Sequence, residues 1–185
     1  MKLPSLRALA GCPLPNGSPS INYRKKQCWF FVPNHDKYHR MISILILNGP
    51  SLNLLGTRQP EVYGTTTLAD IEAMCLQKAE KLGVSVECHQ SNHEGALIDW
   101  IHAARGVFDG IIINAGAYTH TSIALMDAIS SVNIPTLELH LSDIHAREEF
   151  RHVSYIGNVA FDAIMGHGAD GYPMAIERMV KELQK

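Results

Sequence analysis

The hydrophobic pattern of the chain changes character at Met41. From there on, short and nearly continuous apolar runs alternate with longer stretches in which apolar residues recur every three or four positions. Ile42–Leu47, Val84–His89, Gly110–Asn114 and Thr136–Leu139 predict strands, and a weaker one falls within Ser154–Met165. Runs without alternation predict strands covered on both faces. Helices are predicted between them. In 68–82, Leu68, Ile71, Cys75, Ala79 and Leu82 share one stripe, Thr67 and Asp70 form a capping-box pattern, and Gly83 is a stop signal. The stretch 94–105 ends at Gly106, 121–132 ends ahead of Pro135, and 173–183 opens on a proline suited to a first helical turn. Strand and helix alternate throughout, which predicts a doubly wound parallel α/β sheet with its site at the carboxyl ends of the strands.

Residues 1–40 follow no such pattern. They hold five of the nine prolines (Pro4, Pro13, Pro15, Pro19, Pro33), among Gly, Ser and Asn, and predict an irregular extension rather than packed elements. Two readings are open. The extension is native, or Met41 is the true start, and the second is the favoured expectation. Cys28, Trp29, Phe30, Phe31 and Val32 form an apolar cluster within it. The extension is also basic, with seven Lys/Arg against the single acid Asp36, whereas 41–185 carries nine Lys/Arg against seventeen acids. The whole chain has a formal net charge of -2, which argues against a dedicated nucleic-acid binder. With 46% hydrophobic and 18% charged residues among 185, a real core is expected. No apolar run is long enough to span a membrane. Pro4 interrupts the only apolar patch near the start, so a signal peptide is not expected. Cys12, Cys28, Cys75 and Cys88 form no C-x-x-C pair, so no disulfide framework is expected and a reducing, cytoplasmic setting suits the chain.

The predicted strand ends gather polar chemistry. Asn48, Arg58, Glu61 and Tyr63 follow the first strand and Asn92, His93 and Glu94 the second. Asn114 and His120 follow the third, and Glu138, His140, Ser142, Asp143, Arg147 and Arg151 lie at or after the fourth. Each has a bland explanation as an ion pair or a satisfied structural group; convergence on one sheet edge is what singles them out. Glu138, inside an apolar strand, has to be paired or protonated. Phosphate-binding glycine loops, an H-E-x-x-H helix and a G-x-S-x-G elbow are all missing from the sequence, and Lys78, Lys81, Lys181 and Lys185 fall on helix faces or the tail. What remains is Arg, Tyr, His, Asn and Glu, the groups of general acid–base chemistry on a polar, anionic small molecule, with no cofactor or metal.

The segments LNGPSLNLLGTRQPEVYG, QSNHEGALIDWI, IINAGAYTHTSIALMDAI, ELHLSDIHAREEFR and GHGADGY, in this order across 42–183, resemble type II 3-dehydroquinate dehydratase. The resemblance implies a single flavodoxin-like domain of five parallel strands. It implies anti elimination of water from 3-dehydroquinate to 3-dehydroshikimate through an enolate, without a cofactor, in aromatic amino-acid biosynthesis or, alternatively, in quinate catabolism. It assigns Tyr63 as the base, Arg58 as the cation that activates it, His140 as the acid and Glu138 as the group orienting His140. Asn114, His120, Arg151 and the amides of Leu141 and Ser142 match the substrate-binding positions, and Asp127 matches a residue reaching a neighbouring subunit's site. Trimers associating into dodecamers are implied as well.

One position departs from the pattern. Ser51 stands where the family usually has the asparagine that holds an enolate-stabilising water, so a slower but active enzyme is expected. Two rival readings are a binding module without catalysis, for which the loop after the first strand is a poor phosphate cradle, and a weakened family member acting as an assembly subunit.

Overall fold

The computed structural model describes residues 40–57 and 65–185. The extension before residue 40, with Cys12, Cys28 and its aromatic cluster, and the 58–64 segment holding Arg58 and Tyr63 lie outside the described residues.

Five strands form one sheet in the order β2-β1-β3-β4-β5: β1 is Ser43–Asn48, β2 Ser85–Gln90, β3 Gly110–Asn114, β4 Thr136–His140 and β5 Asp162–Met165. All pairings are parallel. Helices α1 (Leu68–Leu82), α2 (Glu94–Ala104), α3 (Ile123–Val132) and α4 (Gly171–Leu183) connect or follow them. The doubly wound architecture expected from the sequence is the one observed.

Strand pleating sends alternate residues to opposite faces, and both faces are covered. Ile44, Ile46, Ile112, Leu137 and Leu139 pack under α1 and α4, against Ile71, Cys75, Ala79, Tyr172, Ile176 and Met179. Leu45, Leu47, Ile111 and Ile113 pack under α2 and α3, against Leu97, Ile101, Leu125 and Ile129. Every residue of β3 and β4 is buried; β3 reads as an apolar run, whereas β4 alternates Leu137 and Leu139 with the buried polar Thr136, Glu138 and His140.

The expectation of two-sided burial fails for β2. It is an edge strand whose Ser85 and Glu87 are exposed, while Val86 and Cys88 lean into the core. Its residues alternate, and His89 stacks on Trp100 of α2 with ring centroids 4.7 Å apart. The α1 stripe also shortens. Ile71, Cys75 and Ala79 are buried, but Leu82 is 37% exposed, and Val84, beyond the left-handed turn at Gly83, joins the core cluster instead. The capping box forms as predicted: Thr67 Oγ1 accepts from the Asp70 amide and Asp70 Oδ2 accepts from the Thr67 amide at 2.9 Å. Helix α3 starts at Ile123, two residues later than expected, because the Ser122 hydroxyl caps the Leu125 amide. Helix α4 starts two residues early, which places Pro173 third in the helix, still among the positions whose N–H has no intrahelical partner. Cys75 and Cys88 are both free thiols.

Candidate active site

Three strand ends meet at one edge of the sheet. Asn48 of β1 lies in register with Asn114 of β3, and β4 ends on His140 beside them. The chain leaves β1 through Gly49, whose amide donates to the Asn114 carbonyl at 2.8 Å. A Cβ on Gly49 would stand 2.3 Å from the Ala115 carbonyl oxygen, so only glycine lets the two turns cross this closely. Replacing Gly49 with alanine is expected to lower stability by about 1–3 kcal/mol through backbone displacement. Urea unfolding of the variant checks this, and an unchanged midpoint would contradict it.

Beneath the crossing runs a buried polar chain. Asn114 Nδ2 donates to Tyr172 Oη at 3.1 Å, and Tyr172 Oη donates to Asn48 Oδ1 at 2.6 Å. The Gly116 amide donates to Asn114 Oδ1 at 3.3 Å. These bonds set the direction of the Asn114 carboxamide. Complete burial pushes the Tyr172 phenol well above its usual range, so this tyrosine is a neutral hydrogen-bonding group.

The Glu138–His140 pair sits on β4. Glu138 and His140 are two residues apart, so they project from the same face of the strand. His140 Nε2 lies 2.7 Å from Glu138 Oε1. A carboxylate only accepts, so Nε2 carries the hydrogen and Nδ1 is the nitrogen left to the cavity. Glu138 is fully buried and His140 is 5% exposed. Burial is the largest single influence on Glu138 and pushes its carboxyl upward. Donation from His140 and Thr119, the positive charge available on His140, and donation from Ser154 together outweigh it and hold the carboxyl below its ordinary range. Glu138 is therefore an ionised group inside the core, held by three hydrogen-bond donors.

His120 ends the 3₁₀ turn Gly116–His120. Its Nδ1 lies 2.8 Å from the Val153 carbonyl, which fixes the hydrogen on Nδ1 and leaves Nε2 as an acceptor in the neutral ring. Burial lowers its proton affinity, and the nearby His140 and Arg151 add to that against the opposing pull of the Val153 carbonyl and Glu138. The rings of His120 and His140 are stacked, with centroids 6.4 Å apart and planes 11° from parallel.

Asn114, His120 and His140 border a cavity of about 180 Å³. Pro50, Leu52, Leu55 and Ile144 give it apolar walls; Ser51, Asn114, His120, His140, Arg147 and Arg151 supply the polar contacts. Two guanidinium groups and a histidine pair suit an anionic, oxygen-rich ligand. Arg151 Nε is 3.0 Å from Glu148 Oε2, an exposed pairing that water and salt weaken. Among the described residues, no three His, Cys, Asp or Glu side chains gather to hold a metal ion.

The family profile for class II dehydroquinases matches residues 42–180. The chain belongs to the type II dehydroquinase family. The resemblance read from the five segments therefore holds, and membership makes the chain a 3-dehydroquinate dehydratase. The chain is 68% identical over 134 residues to a 3-dehydroquinate dehydratase of Dinoroseobacter shibae, covering 72% of this chain and 89% of that protein. It is 57% identical over 146 residues to the catabolic 3-dehydroquinase 1 of Aspergillus terreus, covering 77% and 96%. The crystal structure of the type II dehydroquinase from Butyrivibrio crossotus superposes with a TM-score of 0.74 at 44% identity, covering 76% of this chain and 98% of that one.

Of the dehydroquinase positions named from the sequence, the structure brings Ser51, Asn114, His120, His140, Leu141, Ser142 and Arg151 to one cavity, with Glu138 directly behind His140. Asp127 is exposed on α3 and does not line it. Arg58 and Tyr63 lie outside the described residues. Sequence reasoning did not single out Thr119, Ser154 or Tyr172 as parts of the site, and named Asn92 only among the polar groups after the second strand. Thr119 and Ser154 donate to Glu138, Tyr172 sets Asn114, and Asn92 Oδ1 accepts from the Ser51 amide at 2.8 Å. A buried acid in an apolar strand signals that donors exist, but not which loop supplies them.

Proposed function

We propose that this chain removes water from 3-dehydroquinate in the anti sense, with Tyr63 as base and His140 as acid. The observation that carries the reading is the buried Glu138–His140 pair, whose free ring nitrogen opens onto a cavity bordered by Arg151, His120 and Asn114. A proton next to the ketone is removed first and leaves an enolate. An ordinary tyrosine, with a pKa near ~10, is too protonated for this at neutral pH. A guanidinium alongside stabilises the phenolate, which is the part assigned to Arg58. The β-hydroxyl then leaves as water with a proton from His140. Glu138 supports this step because an ionised carboxylate stabilises the imidazolium that donates. Neutral His120 and the oriented Asn114 hold substrate hydroxyls. The amides of Leu141 and Ser142, with Arg151, hold its carboxylate.

Asp127 enters this scheme only through a neighbouring subunit, in the trimers and dodecamers that the resemblance implies. The pathway we assign is aromatic biosynthesis; the catabolic name of the Aspergillus relative keeps quinate breakdown as the second reading.

The deciding assay is the absorbance rise of the conjugated enone when purified protein meets 3-dehydroquinate, without added metal and after borohydride treatment. A borohydride-insensitive rise is expected, because an elimination through an enolate forms no imine. Loss of the signal on borohydride treatment, or no signal from a folded protein, would overturn the proposal.

A further inference from the structure

Glu138 has a partner that neither proton transfer nor substrate contact requires. Its Oε1 receives Thr119 Oγ1 at 2.5 Å, His140 Nε2 at 2.7 Å and Ser154 Oγ at 2.7 Å. Among the described residues, Oε2 receives Ser154 Oγ alone, at 2.9 Å. The Gly157 amide donates to the same serine oxygen at 2.8 Å. With that lone pair occupied, the single hydroxyl proton of Ser154 is left for the two carboxylate oxygens, and the direction of the bond is fixed.

Gly157 leaves no slack. A Cβ there would stand 3.0 Å from Glu138 Oε2 and 3.2 Å from Ser154 Oγ. The same short segment is fastened to the binding turn. The Val153 carbonyl accepts from His120 Nδ1, and the Tyr155 amide donates to the Thr119 carbonyl at 2.8 Å. Residues 153–157 thereby hold the carboxylate behind His140 and the histidine facing the substrate as one unit.

We propose that Ser154 is a positioning residue for the dehydration, fixing the Glu138 carboxylate and through it the ring of His140, with Gly157 kept small to leave that bond room. This rests on the acid role assigned to His140 above. The ionisable groups facing Glu138 are His140 on its own strand and His120 on the adjoining turn, with Arg151 acting on His120. The flanking strands place Ile113 and Ala163 beside it, and 153–157 adds no charge there. Donation from Ser154 favours the ionised carboxylate. Removing it therefore raises the proton affinity of Glu138, and protonated Glu138 no longer supports an imidazolium at His140.

The test is the pH dependence of kcat for the wild type, Ser154→Ala, Ser154→Thr and His140→Ala, each on the full chain. Ser154→Ala is expected to lose about tenfold in kcat at neutral pH with KM nearly unchanged, and to carry its acid limb to higher pH. Ser154→Thr keeps the hydroxyl and is expected to return both toward wild type. An acid limb that stays in place in Ser154→Ala, or one equally displaced in Ser154→Thr, would overturn the proposal. Retained activity in His140→Ala would instead overturn the acid role itself.

Discussion

Exchanging Ser51 for asparagine is expected to raise kcat by up to roughly 10²-fold, the scale of one transition-state hydrogen-bond donor. Two independent observations point the same way. Ser51 borders the cavity, where its hydroxyl can accept but offers a single donor hydrogen, whereas a carboxamide offers two donor hydrogens besides its acceptor oxygen. Its backbone is left-handed, with φ 66°, a conformation that asparagine adopts several-fold more readily than most other side chains. The amide of this residue is already anchored on Asn92, so the new side chain inherits a fixed origin. Steady-state kinetics with 3-dehydroquinate check the prediction. A Ser51→Asn variant with unchanged kcat would show that serine supports the enolate as well as asparagine does.

The largest loss is expected from the buried pair. His140→Ala should lower kcat by roughly 10²–10⁴-fold, the range of a general acid–base contribution, with a far smaller change in KM. Glu138→Gln should lose at least about 10²-fold, because the amide cannot compensate an imidazolium and turns an N–H group toward donors in a buried site. The pH behaviour follows from the direction of the Glu138 shift. Its folded proton affinity is depressed, so its contribution to both stability and activity is present above the ordinary carboxylate range and is lost as pH falls through the lower folded value. The stability difference between the wild type and Glu138→Gln, measured by urea unfolding, should therefore persist on acidification to below the ordinary glutamate range. Loss of that difference at a pH above the range would contradict an ionised, donor-held Glu138. The chemistry and the fold would then have to share a different charge arrangement on β4.

Much of the architecture follows from local pattern. β3 is buried on both faces and reads as the apolar run Ile111–Ile113, and Thr67, Asp70 and Gly83 specify the ends of α1 through bonds that reach at most four residues. The edge position of β2 was harder to read. Ser85, Glu87 and His89 alternate with Val84, Val86 and Cys88, but a short half-apolar run does not state how many neighbours it has.

The sequence by itself determined the order of elements, the family, and the residue types at the strand ends, because these depend on spacing along the chain. Only the tertiary structure decided which groups meet. Thr119 and Ser154 lie 19 and 16 residues from Glu138, and Tyr172 lies 124 residues from Asn48, yet each pair is joined by a hydrogen bond. A buried carboxylate or carboxamide must find partners, but loops from any part of the chain can supply them. Which loop does so is fixed by how the strand ends, the 116–120 turn and the 153–157 segment pack together.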